Sequence, residues 1–170
     1  MTTATTGSSI VLDLSWVELD RILAVTATQI RAGGIPDAVL GVLRSGMVPA
    51  VMLAHRLGVR DVRGIATTRT AAEGPNAPTS THPATADSAP LGDLTSRDVL
   101  LVDDVTTTGL TMAAAAARAA DLRPGRLRQV VIVADTTNWA ANDTGDDLFD
   151  RVDHIGTAYA GRVHFPWESR

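Results

Sequence analysis

Apolar residues change period several times along the chain, and each change marks an element. Behind Ser15-Trp16-Val17-Glu18, the Ser-x-x-Glu pattern of a capping box, Leu19, Ile22, Leu23, Ala27 and Ile30 recur at helical spacing. Gly33-Gly34 closes this predicted helix and Pro36 keeps it closed. Ala38 to Leu43 is a short apolar run that ends in Arg44-Ser45-Gly46, and Met47 to Leu57 reads as a helix that tolerates Pro49 in its first turn. Asp61 to Thr67 reads as a second strand. Between Thr70 and Gly92 the periodicity disappears, and Pro75, Pro78, Pro83 and Pro90 stand among Ala, Thr and Ser. Such a stretch is predicted to be a mobile loop, either a lid or a plain linker. Order returns with Val99-Leu100-Leu101-Val102 as a buried strand, Leu110 to Ala120 as an alanine-packed helix, Gln129 to Ala134 as a second buried strand and Val152 to Tyr159 as a possible last one. Buried strands alternating with helices predict an α/β fold with a parallel sheet, whose ligands sit beyond the carboxyl ends of the strands.

Composition narrows the function. A chain of 170 residues fits one domain, here residues 10–170 behind a frayed Thr/Ser/Ala tail at residues 1–9. No apolar run approaches the ~20 residues of a membrane span, and the start does not read as a signal peptide, so a cytoplasmic location without membrane partners is expected. The formal charge is −4 with no polybasic block, which argues against nucleic acid. Cysteine is absent, which removes disulfides and thiol catalysis. All 15 basic residues are arginine, which excludes Schiff-base chemistry and a Walker-type phosphate loop.

The most informative stretch runs from Val99 to Thr111. A buried strand delivers Asp103 and Asp104 to its end; Thr106-Thr107-Thr108-Gly109 follows and opens into a helix whose second residue is Thr111. Successive backbone N–H groups ahead of a helix N-terminus form an anion site, and the threonine hydroxyls add donors. Two carboxylates beside a phosphate make sense if the ligand also presents vicinal hydroxyls and a divalent cation. A ribose 5-phosphate carrying Mg²⁺-pyrophosphate presents all three. The bland alternative is an ordinary strand-to-helix turn, with Asp and Thr as caps.

This stretch resembles the phosphoribosyl-pyrophosphate signature of the type I phosphoribosyltransferases. The resemblance implies their parallel-sheet fold, with a mobile loop and a small hood built from the chain ends. It implies Asp103 and Asp104 on the ribose hydroxyls and Thr106 to Thr111 on the 5′-phosphate, with Mg²⁺ as cofactor and a homodimer or higher oligomer as assembly. Leu43-Arg44-Ser45-Gly46 resembles the family's pyrophosphate loop, in which the Leu43–Arg44 peptide would be cis. The ending Val163-His164-Phe165-Pro166-Trp167-Glu168 is similar to the hood of the hypoxanthine/xanthine-guanine enzymes; it implies that Val163 touches the base and that Glu168, with Asp104, is a candidate metal ligand. A C-terminal strand anchored by Phe165 and Trp167 would explain that ending equally.

Three departures matter. Thr107 stands where the 6-oxopurine enzymes carry an Asp for the purine N7 proton. Asp135 follows the Gln129–Ala134 strand where they place a Lys. Arg162 falls where they stack an aromatic, unless Tyr159 or Trp139 supplies that face. Asp135 as acceptor favours a base bearing an amino group, with Asp135 orienting it or taking its proton; alternatively Asp135 only caps the turn Thr136-Thr137-Asn138. The reading that follows is Mg²⁺-dependent phosphoribosyl transfer from phosphoribosyl pyrophosphate to a ring nitrogen of a purine-like base. A regulatory protein that binds the donor without chemistry is the alternative. A phosphotransfer receiver domain needs a switch lysine that is missing. His55, His82 and His154 have no partners at ligand spacing, and the acidic run 143–150 reads as a solvated loop.

Overall fold

The computed structural model describes residues 11–70, 79–84, 91–139 and 152–168. Its centre is a five-stranded sheet in the order β3-β2-β6-β7-β8, formed by Val62–Ala66, Ala38–Leu43, Asp98–Thr106, Arg126–Asp135 and His154–Tyr159, with every pairing parallel. Helices α1 (Trp16–Ala32) and α2 (Met47–Leu57) cover one face, and α3 (Leu110–Ala120) covers the other. Two apolar layers result. Leu19, Leu23, Ile30 and Leu53 pack on Leu100, Val102 and Ile132 on the first face; Met112, Ala115 and Ala119 pack on Leu40, Leu101 and Val131 on the second. Side chains of a strand alternate faces, so a central strand with both faces covered must be apolar throughout.

Strand order decides where a ligand can sit. From β2 the chain crosses through α2 to β3 on one side, then returns to place β6 on the other side of β2. The order in which strands are added therefore reverses between β2 and β6, and the loops that leave their carboxyl ends part to form a crevice at that switch point. The loops after β2 and β6 flank it.

Most predicted elements are found close to the expected bounds. The capping box at the start of α1 is formed: the Ser15 hydroxyl accepts from Glu18 N and the Glu18 carboxylate accepts from Ser15 N at 2.9 Å. Helices Met47–Leu57 and Leu110–Ala120 have the expected ends. The Leu43–Arg44 peptide is cis. The hood pairs β1 (Val11–Asp13) with β9 (Arg162–His164) in parallel, joining the two ends of the described chain.

Two expectations need correction. The stretch 70–92 is not wholly without secondary structure: β5 (Thr79–Ala84) pairs antiparallel with β4 (Thr68–Thr70), a ribbon for which the β-branched threonines at both strands are suited. Residues 71–78 and 85–90 lie outside the described part, as do the tail 1–9 and the run 143–150. Strand β6 also extends past Val102 to Thr106, and β7 runs to Asp135. The acid pair therefore lies within a strand and is about 5% exposed, not at an exposed end.

The opposite, amino-terminal edge of the sheet is held by charge. Arg128, 1% exposed, donates to both carboxylate oxygens of Asp98 (3.0 and 2.9 Å), tying β7 to β6, and Arg126 donates to Gly33 O at the end of α1. Asp61, just before β3, accepts from Arg63 at 2.8 and 2.7 Å and from Arg97 at 2.6 Å, and Arg97 also donates to Asp37 O. The Arg63 hydrogen bond, followed by that of Arg97, lowers the Asp61 carboxyl to about 2. Because this folded-state value lies below the ordinary one of 3.8, the clasp stabilises the fold above about pH 4 and its contribution is lost as pH falls toward 2. Asp61→Asn is expected to cost about 1 kcal/mol near pH 7 once solvent screening is counted, in urea denaturation. The gap from wild type should close as the titration is repeated between pH 4 and 2.

Candidate active site

The crevice is built from three chain segments. The first is the carboxyl-terminal half of β6, where Asp103 and Asp104 are buried and the Asp103 carboxylate accepts from Asp104 N at 3.0 Å. Burial pushes the Asp104 carboxyl above its ordinary value, and hydrogen bonds with Ser45 and Asp103 only partly oppose this. Adjacent carboxylates withdrawn from water favour a ligand that brings hydrogen-bond donors or positive charge.

The second is the loop Arg44-Ser45-Gly46 after β2. A Cβ on Gly46 would stand 2.7 Å from Val42 O and 2.8 Å from the Asp103 carboxylate, so only glycine lets the loop lie against the acid pair. Arg44 and Ser45 are exposed, with Ser45 hydrogen-bonded to Asp104. The sequence placed both motifs at the sheet's carboxyl edge; the structure joins them into one surface.

The third is the Thr106 to Gly109 loop. Gly109, in the left-handed conformation (φ 75°), starts α3, and no side chain caps that helix; Gly46 likewise starts α2 without a side-chain cap. Only α1 has its own cap among the three long helices. Uncapped N-termini beside the crevice leave partial positive charge toward an anion. The Thr106 hydroxyl accepts from Gly109 N at 3.1 Å and so shapes the loop. Thr108 Oγ is buried with no hydrogen-bond partner in the described structure.

Beside these segments lies a cavity of about 410 Å³, lined by Val105, Thr107, Asp135, Thr137, Gly161, Arg162 and Val163. The β6–β7 register, which sets Thr106 opposite Ala134, brings Thr107 and Asp135 together at the ends of neighbouring strands. Arg162 and Val163 arrive from the hood. Asp135 caps the turn that follows it, the second of the two alternatives expected of it, and stands at the cavity as well. Its Oδ1 accepts from Thr137 N at 2.9 Å and from Gly161 N at 3.4 Å, and the residue also lines the cavity. Thr137 and Gly161 had no motif to announce them; an Asp followed by Thr-Thr at a strand end was the available signal. Tyr159 does not line this cavity but packs against the α1 side of the core. The Trp139 side chain lies outside the described part.

In the hood, Phe165 is buried and stacks on Trp167 with ring centroids 4.6 Å apart, as a C-terminal strand anchored by these two rings requires. Glu168 Oε2 accepts from Phe165 N at 2.8 Å, closing that turn. Among the described residues no three His, Asp or Glu side chains converge as a metal-binding group, so Glu168 does not join Asp103 and Asp104 in one. No described helix is long and apolar enough to cross a membrane.

Residues 15–166 match the family described as the phosphoribosyl transferase domain. The chain belongs to that family and is a phosphoribosyltransferase. No curated protein matches it. Among solved structures, a purine phosphoribosyltransferase from Pyrococcus horikoshii is similar at 25% identity and a TM-score of 0.74, over 94% of this chain and 95% of that one. A xanthine-guanine-hypoxanthine phosphoribosyltransferase from Helicobacter pylori superimposes at 18% identity and a TM-score of 0.72, over 94% of each chain. A protein from Neisseria gonorrhoeae with bound ppGpp does so at 15% and 0.74, over 95% of this chain and 90% of that one. The last two share the fold.

The packing at Gly46 generates a direct expectation. Gly46→Ala forces the loop off Asp103 and should destabilise the fold by about 1–3 kcal/mol, as overpacking does. Chemical denaturation checks this; an unchanged midpoint would mean that the loop yields without cost.

Proposed function

We propose that this chain transfers the 5-phosphoribosyl group of phosphoribosyl pyrophosphate to a ring nitrogen of a purine-like base that bears an amino group, releasing pyrophosphate. The observation that carries the reading is the cavity in which Asp135 and Thr107 meet Arg162 and Val163, next to the buried acid pair. The ribose hydroxyls donate to Asp103 and Asp104, whose burial favours such donors. The 5′-phosphate lies on Thr106 to Thr111, and Arg44, Ser45 and Gly46 hold the pyrophosphate.

The residues present fit Mg²⁺, which takes one or two carboxylates together with substrate phosphates. Asp104, buried at the crevice beside the Ser45 loop, is the better-placed ligand; Glu168 already closes the Phe165 turn through one oxygen. When bound, the ion neutralises charge on the departing pyrophosphate. In the reaction the bond from C1′ to the pyrophosphate oxygen breaks, a bond from the ring nitrogen to C1′ forms, and the nitrogen's proton leaves. Thr107 is neutral and cannot take that proton, so Asp135 is assigned the role. Arg162 covers the base through its guanidinium plane, and Val163 offers backbone groups to the base edge.

Asp135 also sets the choice of base. A 6-oxopurine carbonyl facing it opposes acceptor to acceptor, a loss of about 1–3 kcal/mol, whereas an amino group makes a charge-assisted bond. A carboxylate has about four acceptor sites, so capping a turn does not by itself prevent it from accepting from a base. The neutral Thr107 also suits a donor-binding protein without chemistry, and pyrophosphate release with a panel of bases separates that reading from catalysis.

Changing both Asp103 and Asp104 to Asn should weaken donor binding, measured by calorimetry with and without Mg²⁺, by about 3 kcal/mol or more for two lost charge-assisted bonds. The fold should survive, because Asn keeps the volume and removes charge whose burial is unfavourable. Donor affinity equal to wild type would sink the assignment. In steady-state kinetics, wild type should favour amino-bearing bases over hypoxanthine, guanine and xanthine by about 10-fold or more in kcat/KM, and Asp135→Asn should shrink the ratio. Efficient use of guanine or hypoxanthine, little changed in the variant, would refute this reading of the pocket.

A further inference from the structure

Among the described residues, three buried side-chain polar atoms have no hydrogen-bond partner: Thr67 Oγ, Thr108 Oγ and Trp167 Nε1. Unpaired buried groups are costly and rare, so each calls for a cause. Thr108 has one, since it stands in the loop assigned to the 5′-phosphate. Trp167 belongs to the hood's aromatic cluster with Phe165 and Trp16. Thr67 belongs to no motif and fills no role described so far.

Its position is informative. The β2–β3 ladder ends with Leu43 opposite Ala66, so Thr67 stands one residue beyond the last pair, level with Arg44. By strand alternation it shares the face of Ile65, which packs in the layer of Met112 and Ala115. Thr67 is therefore on the carboxyl edge of the sheet, on the side of α3, at the root of the β4–β5 ribbon. Thr108 follows β6, and β2 lies between β6 and β3. Two strand spacings separate the strand lines that lead to the two positions by about 10 Å, too far for one phosphate group.

We infer that the Thr67 hydroxyl donates to a non-bridging oxygen of the donor's pyrophosphate, while Thr108 serves the phosphate at the other end. This rests on the donor site proposed above. Each orphaned hydroxyl then has an anionic partner of its own, and Thr67 works beside Arg44, the nearest cation of the pyrophosphate loop. Valine at position 67 keeps the shape and removes only the hydroxyl.

Calorimetry with Mg²⁺-pyrophosphate, ribose 5-phosphate and phosphoribosyl pyrophosphate as separate probes tests the assignment on the full chain. Thr67→Val should weaken pyrophosphate and the complete donor by about 10-fold or more while leaving ribose 5-phosphate within about twofold. Thr67→Ser should restore wild-type binding, and Thr108→Val should show the opposite selectivity. The melting temperature of Thr67→Val should not fall, because the lost hydroxyl has no partner in the protein. Pyrophosphate affinity unchanged in Thr67→Val would overturn the inference and point to a bound water as the partner; equal loss of both ligands, or a sharp drop in melting temperature, would overturn it too. A wild type that binds ribose 5-phosphate shows the donor reading intact whatever Thr67 does, whereas one that binds none of the probes overturns both.

Discussion

The burial of two adjacent carboxylates at the switch point of a parallel sheet is the constraint on which the rest of this structure depends. Asp103 and Asp104 sit in the central strand β6, flanked by β2 and β7 and covered by the loop after β2. Water is largely excluded there, so their charge must be met by neighbours or by a ligand. Gly46 can approach because it has no side chain, and Ser45 supplies one hydrogen bond. The N-termini of α2 and α3 open beside them without side-chain caps. Positive potential from backbone and negative potential from side chains thus share one crevice. That combination suits a phosphorylated sugar better than a simple anion or a simple cation.

The same sheet that buries the acids also assembles the second half of the site. Parallel pairing of β6 with β7 carries Thr107 and Asp135 to adjacent positions although their loops are separated by all of α3. The hood completes the wall. β1 and β9 come from opposite ends of the described chain, and their parallel pairing is reinforced by His164 beside Asp13 at 3.3 Å and by the stack of Phe165 on Trp167. Arg162 and Val163 are held over Asp135 by a strand whose anchoring residues lie elsewhere. Gly161, between β8 and β9, has φ 139°, a conformation that favours glycine, and its N–H reaches the Asp135 carboxylate. At Gly161 the wall beside Asp135 is therefore shaped by backbone and not by a side chain.

Charge is distributed by edge. The amino-terminal edge holds arginines already matched to carboxylates: Arg63 and Arg97 with Asp61, Arg128 with Asp98. The carboxyl edge carries Arg44 and Arg162 with exposed side chains. Pairing at one edge steadies the sheet, and the basic groups at the other remain suited to phosphate and base.

Periodicity and local chemistry determined much of this protein directly. The capping box, the two central helices and the buried strands were legible because helix starts and strand burial depend on residues a few positions apart. The acid pair, the threonine-glycine loop and the Arg-Ser-Gly turn were legible for the same reason, since each is a contiguous stretch. What the sequence could not reveal is decided by pairing over long separations. The extent of β6 through Asp103 and Asp104, and hence their burial, follows from the neighbouring strands and a covering loop. The ribbon of β4 and β5 lies in a stretch whose prolines and small residues hide its threonine strands. The joining of Thr107, Asp135, Thr137 and the hood into one cavity, and the orphaned hydroxyl of Thr67, exist only once the strands stand in order. Hydrophobic period is a local signal; desolvation and hydrogen-bond satisfaction are sums over whatever the fold brings near.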